Sequence, residues 1–202
     1  MSTRAARVLV CVAVAVIVLP ASAATAYDPR QTFVEGTVVV SPEFGYGHQF
    51  DLEGKSGYTG LAFVNTGVRF GLLPFGPTGS GPLFGAFEVG LEPLYQQYLS
   101  PERVYYAGLG LTLKYHFLAL DRFVPYVELA AFAGGTNLKV TEIRSDFAFL
   151  LWGGAGASYF VADRTAVYAG YRYEHVSNGN TERPNRGFES NVGVAGMSFF
   201  FE

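Results

Sequence analysis

Three residues near the C-terminus have the side chains of a hydrolytic triad. His175 and Ser177 lie two positions apart, and Glu189 follows after a connection rich in Gly and Asn. A serine hydroxyl becomes nucleophilic when a histidine takes its proton, and a carboxylate that binds the imidazole orients it. Such triads are defined by geometry and not by the order of the residues along the chain. The residue types therefore favour acyl transfer to Ser177, followed by hydrolysis.

The triad can form only if its three residues share one face of a sheet. Side chains alternate across a strand, so His175 and Ser177 point to the same side. In the next alternating segment, Glu189 lies on the same apolar face as Phe199. If His175 and Glu189 stand opposite each other, their Cβ atoms are about 4.5–5.5 Å apart, within reach of a hydrogen bond. The same register places Gly187 opposite Ser177, which would leave room there for an acyl chain.

The segments that must position these residues alternate with a period of two. Leu109, Leu111 and Leu113 share one face of their segment, whereas Gly110, Thr112 and Lys114 share the other. Long strands with one apolar face and one polar or glycine-rich face are typical of outer-membrane barrels, whose apolar face contacts lipid. We therefore predict an all-β fold, an eight-stranded antiparallel transmembrane β-barrel. The predicted strands are 32–41, 59–73, 83–98, 102–117, 123–134, 146–160, 164–178 and 187–201.

Charged residues are predicted to fill the barrel, because eight strands enclose only a side-chain-filled interior and no pore. A lone interior charge is costly, so each cation should contact a carboxylate. The alternative is a soluble lipocalin-like barrel with its apolar face inward. Its strands would be shorter, with more Lys and Asp and less Gly on the polar face. The predicted inward charges are Glu35, Glu88, Glu92, Glu128, Glu174, Arg69, Lys114 and Arg172.

The first 26 residues have the pattern of a signal peptide. Arg4 and Arg7 precede an apolar stretch at 8–19, which is shorter than the roughly 20 residues of a membrane-spanning helix. Small residues offer cleavage sites after Ala23 and Ala26, and we favour the second. Residues 27–202 then form one barrel domain. They contain no cysteine, because Cys11 lies in the signal segment, so disulfides and thiol catalysis are excluded.

The exported chain is acidic. Without the two arginines of the signal segment, the 14 basic side chains fall to 12 against 17 acidic ones, a formal net charge of −5. The chain has no excess of basic residues that would indicate nucleic acid as a partner. Basic loop residues could meet the phosphates of a lipid. Because acidic residues lie among them, the alternative that these loops form only a solvated rim agrees with the sequence at least as well. The basic residues are Lys55, Lys139, Arg144, Arg183 and Arg186; the acidic ones are Asp51, Glu53, Glu142 and Glu182.

The parity of the strands predicts on which side each connection lies. With eight strands and both ends of the chain in the periplasm, the connections near 43–58, 98–102, 135–145 and 178–187 are extracellular. Those near 74–82, 118–122 and 161–163 are periplasmic. The triad then lies at the extracellular rim, on the lipid-facing side of the wall. Taken alone, a His-x-Ser pair in a barrel is more often only part of a polar rim.

The residues around the triad resemble the C-terminal signature of PagL-type lipid A 3-O-deacylases. The resemblance rests on His175-Val176-Ser177-Asn178, Arg183-Pro184-Asn185 and Glu189. It implies that Ser177 is the nucleophile, His175 the general base and Glu189 its orienting acid. It also implies an oxyanion hole made by the Asn185 side chain and loop N–H groups, for which we take Asn178 and Asn180. The family has a glycine five residues after the histidine, where this chain has Asn180, with Gly179 one position earlier.

The resemblance implies an outer-membrane serine esterase that hydrolyses an ester-linked acyl chain, at the 3-O position, of lipid A in lipopolysaccharide. Such an enzyme needs no cofactor and no metal. Its active site would lie at the extracellular rim of the bacterial outer membrane, where the substrate resides. The alternative is a non-enzymatic small outer-membrane barrel, an adhesin or structural protein, that keeps only the polar rim.

Overall fold

A single sheet of eight antiparallel strands closes into a barrel in the computed structural model, which describes residues 27–50 and 59–202. The predicted signal peptide lies outside the described residues. Each strand pairs with its neighbours in sequence, and β8 pairs with β1. The strands are β1 Val38–Phe50, β2 Ala62–Leu72, β3 Gly85–Ser100, β4 Tyr105–Phe117, β5 Phe123–Thr136, β6 Phe147–Ala162, β7 Thr165–Ser177 and β8 Phe188–Phe201.

Between residues 27 and 50 and from residue 59 onward, helical structure is confined to two short elements, α1 at Pro29–Thr32 and a 3-10 turn at Gly81–Leu83. Within the described ranges, no helix has the length and apolar character that crossing a membrane requires.

The two faces of the barrel wall have opposite polarity. On the outer face of β4, Leu109, Leu111 and Leu113 are 55%, 67% and 43% exposed, whereas Thr112 and Lys114 are buried inside. An apolar exterior around a polar interior is the arrangement of a barrel surrounded by lipid. The predicted transmembrane barrel is therefore confirmed, and the lipocalin-like alternative, which needs an apolar interior, is excluded.

A network of buried ion pairs fills the middle of the barrel. Arg172 donates from Nε to Glu128 at 2.7 Å and from its terminal nitrogens to Glu43. Arg69 Nη2 donates to Glu128 at 2.9 Å, and Lys114 Nζ lies 3.9 Å from the same carboxylate. Each of the three cations thus contacts an inward carboxylate, as predicted. The members of this interior network are Arg69, Arg172, Lys114, Glu43, Glu92 and Glu128.

Strand β1 begins and ends later than predicted: it shares residues 38–41 with the predicted strand, and the predicted bounds of 32–41 are wrong. The first residue of the predicted strand, Thr32, is instead the last residue of α1. This helical turn forms because Asp28 Oδ1 accepts a hydrogen bond from Arg30 N–H at 3.0 Å and Pro29 presets the first turn. Pro42 lies inside β1, although proline favours a strand end. It is tolerated because the pairing of β1 with β8 is interrupted beside it.

The later start of β1 changes which residues fill the barrel. Glu35 is exposed in the turn after α1, so the prediction that it points inward is wrong. Glu43 is buried instead and supplies a carboxylate to the interior network. Phe33 follows α1 and is fully buried, with ring centroids 5.7 Å from Phe160 and 5.1 Å from Phe200. This aromatic cluster closes the barrel end at which β1 begins and β8 ends.

The two ends of the barrel differ in their connections. We call the end at which β1 ends and β2 begins, with the connections 101–104, 137–146 and 178–187, the loop end. We call the opposite end, with the connections 73–84, 118–122 and 163–164, the terminal end.

Candidate functional site

His175 in β7 and Glu189 in β8 stand directly opposite each other near the loop end. His175 Nδ1 lies 3.1 Å from Glu189 Oε1, on the outer face of the wall. The structure thus has the register that the candidate triad requires. The two side chains are 34% and 23% exposed. Because the carboxylate engages Nδ1, Nε2 is the nitrogen left to exchange a proton with another group.

Aromatic rings border the carboxylate of Glu189. Phe50, at the end of β1, is directly opposite Glu189, and its ring packs edge-on against Tyr173 with centroids 5.8 Å apart. Rings in this position reduce the access of water to the hydrogen bond between Glu189 and His175. A hydrogen bond of this kind is stronger where water is excluded.

Ser177, the last residue of β7, lies on the same face as His175 and is partly exposed. In the described structure no hydrogen bond joins Ser177 Oγ to the imidazole. The imidazole borders Gly187 instead, where an added Cβ would lie 2.9 Å from His175 Cε1 and 3.2 Å from Nε2. Gly187 also has φ +70°, which favours glycine. Its missing side chain therefore leaves open the space beside Nε2, on the side where Ser177 lies.

Asparagine side chains organise the connection after Ser177. Asn185 Oδ1 accepts from Asn178 N–H at 2.9 Å, and Asn178 Oδ1 accepts from Asn180 N–H at 3.0 Å. These bonds occupy the two loop N–H groups that were predicted for an oxyanion hole. Asn185 Nδ2 donates one hydrogen to Asn180 Oδ1 at 3.3 Å and retains a second. No described residue accepts a hydrogen bond from Gly179 N–H, which makes this group an available donor that the sequence alone did not single out.

Glu142, in the connection 137–146, holds the last connection against the barrel. Its buried carboxylate accepts from Gln49 Nε2 at 2.8 Å, Thr59 N–H at 2.6 Å and Arg186 Nη2 at 3.3 Å. Its backbone oxygen accepts from Arg186 N–H at 2.8 Å and Gly187 N–H at 3.2 Å. Burial opposes ionisation, but the hydrogen bonds from Thr59 and Gln49 outweigh it and lower the pKa of Glu142. An ionised Glu142 thus fixes Gly187 beside His175, a role that sequence analysis missed.

Two of the basic loop residues are paired within the protein. Lys139 Nζ lies 2.5 Å from Asp146, and Arg186 is bound to Glu142. These pairs favour the solvated rim over phosphate binding for Lys139 and Arg186. Lys55, Asp51 and Glu53 lie outside the described residues. Elsewhere in the described chain, no group of three His, Cys, Asp or Glu side chains is arranged as a metal site.

An apolar groove of about 720 Å³ crosses the outer wall and starts next to His175. Leu151 is directly opposite His175, and Ala131 is directly opposite Leu151. Because barrel strands are tilted, a row of directly opposite residues runs obliquely along the barrel. This row starts near the loop end at His175 and reaches Phe70 near the terminal end of β2. Its members in order are Leu151, Ala131, Leu111, Leu91 and Phe70.

Comparisons with known proteins agree with this architecture. Among solved structures, the outer membrane enzyme PagL aligns with 78% of this chain and 97% of its own, at 18% identity and a TM-score of 0.55. Neisserial surface protein A aligns with 83% of this chain and 100% of its own, at 17% identity and a TM-score of 0.58. At such identities these likenesses show the fold alone. No curated protein matches the chain.

The comparison with family models is more specific. The model described as "Lipid A 3-O-deacylase (PagL)" matches residues 64–198, a span that includes His175, Ser177 and Glu189. The match covers well over half of the sequence and confirms the predicted resemblance to this family. This protein therefore belongs to the lipid A 3-O-deacylase (PagL) family.

Proposed function

We propose that this protein is a serine esterase of the bacterial outer membrane that removes the 3-O-linked acyl chain from lipid A. The observation that carries the proposal is the contact between His175 Nδ1 and Glu189 on the lipid-facing wall, with Ser177 on the same face. A soluble substrate would gain nothing from an outward-facing site. A membrane lipid can reach it by moving laterally, without its acyl chain entering water.

The reaction follows from the roles of the three side chains. Ser177 Oγ attacks the ester carbonyl carbon while His175 Nε2 takes the hydroxyl proton. The imidazolium then gives this proton to the departing sugar oxygen, which leaves an acyl group on Ser177. Water, deprotonated by His175, releases the fatty acid and restores the serine. Glu189 holds the imidazole with Nε2 toward Ser177 and stabilises its positive charge.

The Ser177–His175 hydrogen bond has to form in the substrate complex. Such bonds are often long or misaligned without substrate and tighten in the Michaelis complex. Rotation of the Ser177 side chain toward Nε2 would form it, and the space beside Gly187 leaves this path clear.

Two donors near Ser177 can stabilise the oxyanion, namely the second Nδ2 hydrogen of Asn185 and the N–H of Gly179. One such donor contributes about 10²–10³ in kcat. Asn178 and Asn180 remain candidates only if the loop exchanges the hydrogen bonds that their N–H groups now make. In the present arrangement they act by fixing Asn185.

The apolar groove is suited to the acyl chain that is cleaved. It begins at Leu151 beside His175 and descends along the wall, so a chain whose ester carbonyl lies at Ser177 can lie in it. The loop end would then face the outside of the cell, where the outer leaflet presents lipid A. A groove of fixed length would favour chains of matching length.

Filling the groove should change the preference for acyl chain length. Ala131→Phe should reduce the rate on long-chain esters by about tenfold or more and leave short-chain esters nearly unchanged. The reason is that the added ring blocks the row beyond Leu151 without touching the triad. The measurement is kcat/KM for a series of acyl esters in detergent. Ala195→Phe, on the outer face of β8 outside the groove, is the matched control; equal profiles for both variants would contradict the assignment.

A side chain at residue 187 should displace the imidazole. Gly187→Ala should lower kcat by about 100-fold, because a shift of 1 Å in a catalytic group costs that much. The added Cβ would approach His175 Cε1 to 2.9 Å, and the backbone has positive φ. Gly135→Ala, also on the outer face near the loop end, meets only one atom at 3.9 Å and should keep full activity. An unchanged kcat in Gly187→Ala would show that the imidazole works elsewhere.

Incubation of the purified protein with lipid A in detergent, read by mass spectrometry, tests the function itself. We expect the mass of lipid A to fall by one acyl chain and the free fatty acid to appear. Unchanged lipid A from a protein with the heat-modifiable gel migration of a folded barrel would instead support the non-enzymatic alternative.

A further inference from the structure

A second group of polar side chains lies on the outer wall beside the His175–Glu189 pair. His48 in β1 is directly opposite Asn191 in β8, and Asn191 is directly opposite Tyr173 in β7. This row lies two residues further from the loop end than the row of Phe50, Glu189 and His175. Both rows are on the outer face of the wall. We call His48, Asn191, Tyr173 and the neighbouring Tyr171 the wall patch.

The amide of Asn191 is oriented but only half satisfied. Tyr171 Oη donates to Asn191 Oδ1 at 2.5 Å, which turns Nδ2 toward the remaining open side. No described residue accepts a hydrogen bond from Nδ2. Next to it along β8, Gly193 lies between the exposed rings of Tyr46 and Tyr171, and an added Cβ there would meet nothing within 4 Å. The amide therefore borders an open cleft between aromatic rings.

The side-chain amide of Gln97, also near the rim, differs from that of Asn191 because its hydrogen bonds are satisfied within the protein. Gln97 in β3 also faces outward and accepts from a tyrosine, Tyr95 Oη, at 2.8 Å. Its Nε2, however, donates to the backbone oxygens of Tyr98 at 3.0 Å and Val104 at 2.9 Å. Lipid hydrocarbon offers no partner to an amide, so unsatisfied polar groups there are costly and mark functional positions. Gln97 avoids this cost within the protein, whereas Asn191 needs a partner from outside.

We propose that the wall patch is a second lipid subsite, which binds the oxygen of a hydroxyl group carried on an acyl chain near the scissile ester. The proposal rests on the proposed function for the location of that ester. Asn191 Nδ2 donates to the oxygen of the bound group, and the ring of His48, directly opposite, supplies a second polar contact. The wall patch lies on the β8–β1 side of His175, and the apolar groove lies on the β6 side. The lipid is thus held on both sides of the reacting bond.

The test uses two ether-linked glycolipids with identical chains, one of which carries a hydroxyl at the third chain carbon. The full chain, purified in detergent micelles, is offered each lipid, and native mass spectrometry counts the bound molecules. We expect the hydroxylated ether to bind about tenfold more tightly to the unaltered protein, the size of one well-formed hydrogen bond. Asn191→Leu should bind both ethers equally. Gln97→Leu, the matched rim variant, should keep the preference.

A shape-preserving variant guards against misfolding. Asn191→Asp retains the side-chain shape and replaces the Nδ2 donor by an acceptor, to which a hydroxyl could still donate. The probe for this variant is therefore a third ether with a methoxy group at the same carbon, whose oxygen only accepts. The unaltered protein should prefer the methoxy ether to the plain one, and Asn191→Asp should lose that preference while migrating as a folded, heat-modifiable barrel. A preference for the hydroxylated ether that survives in Asn191→Leu, or for the methoxy ether in Asn191→Asp, would overturn the proposal. Equal binding of the hydroxylated and plain ethers by the unaltered protein would overturn it as well.

Ethers cannot be hydrolysed, so this result does not depend on catalysis. A protein that prefers the hydroxylated ether but leaves lipid A intact would refute the proposed function and keep the subsite. A protein that cleaves lipid A but binds both ethers equally would support the proposed function and refute the subsite.

Discussion

Replacing Ser177 with alanine should lower the rate of lipid A deacylation by about 10⁴–10⁶-fold. The variant has no nucleophile, so only the oxyanion donors and substrate binding remain to accelerate attack by water. His175→Ala should have an effect of similar size, because the members of a triad act as one unit. Glu189→Ala should cost somewhat less, since an imidazole that is no longer held still adopts the productive orientation part of the time. The measurement is single-turnover release of fatty acid from lipid A in detergent.

These three substitutions should leave the barrel intact, because all three side chains lie on the outer face near the loop end. The heat-modifiable gel shift should therefore be unchanged. Ser100→Ala, an exposed serine at the loop end of β3, is the matched control and should keep full activity. A folded Ser177→Ala protein with the activity of the unaltered chain would end the triad hypothesis.

Replacing Arg172 with methionine should lower the free energy of unfolding by about 3–5 kcal/mol. Arg172 is fully buried and binds both Glu43 and Glu128. Its removal leaves two buried carboxylates that share only Arg69 and Lys114 as cations. The measurement is urea unfolding of the barrel in lipid vesicles, followed by gel migration. Activity at full folding should change little, because this side chain lies inside the wall and the candidate site outside.

Two further variants identify the cause of that loss. Arg164→Met removes the ion pair of Arg164 with Glu202 at 2.7 Å, both half-exposed, and should change stability by less than about 1 kcal/mol. Adding Glu43→Gln to Arg172→Met should recover part of the lost stability, since it removes one of the stranded charges. If Arg172→Met were as stable as Arg164→Met, the interior network would not stabilise the barrel.

For most of the wall, the face on which each side chain lies could be predicted from the alternation within its own strand. A side chain's face depends only on its position within its own strand, so the outward Leu109, Leu111 and Leu113 and the inward Arg69, Lys114 and Arg172 followed from parity. Alternation failed at the start of β1, where a capped helical turn took the place of the predicted strand and Glu43 replaced Glu35. The cause is the local hydrogen bond from Arg30 N–H to Asp28, which a hydrophobic pattern does not reveal.

The sequence by itself determined the barrel and the outward parity of the candidate triad, because the face of a side chain depends only on its position within its own strand. The sequence allowed His175 to stand opposite Glu189, and the register of β7 with β8 places them so. The tertiary structure decided what depends on distant segments. Closure of the sheet brings Phe50 beside Glu189 and His48 beside Asn191, residues more than a hundred positions apart. The loop end brings Glu142 to Gly187, and strand tilt aligns Leu151, Ala131 and Phe70 into one groove. Such contacts are fixed by the stagger of all eight strands around the barrel, and no periodicity within one strand contains that information.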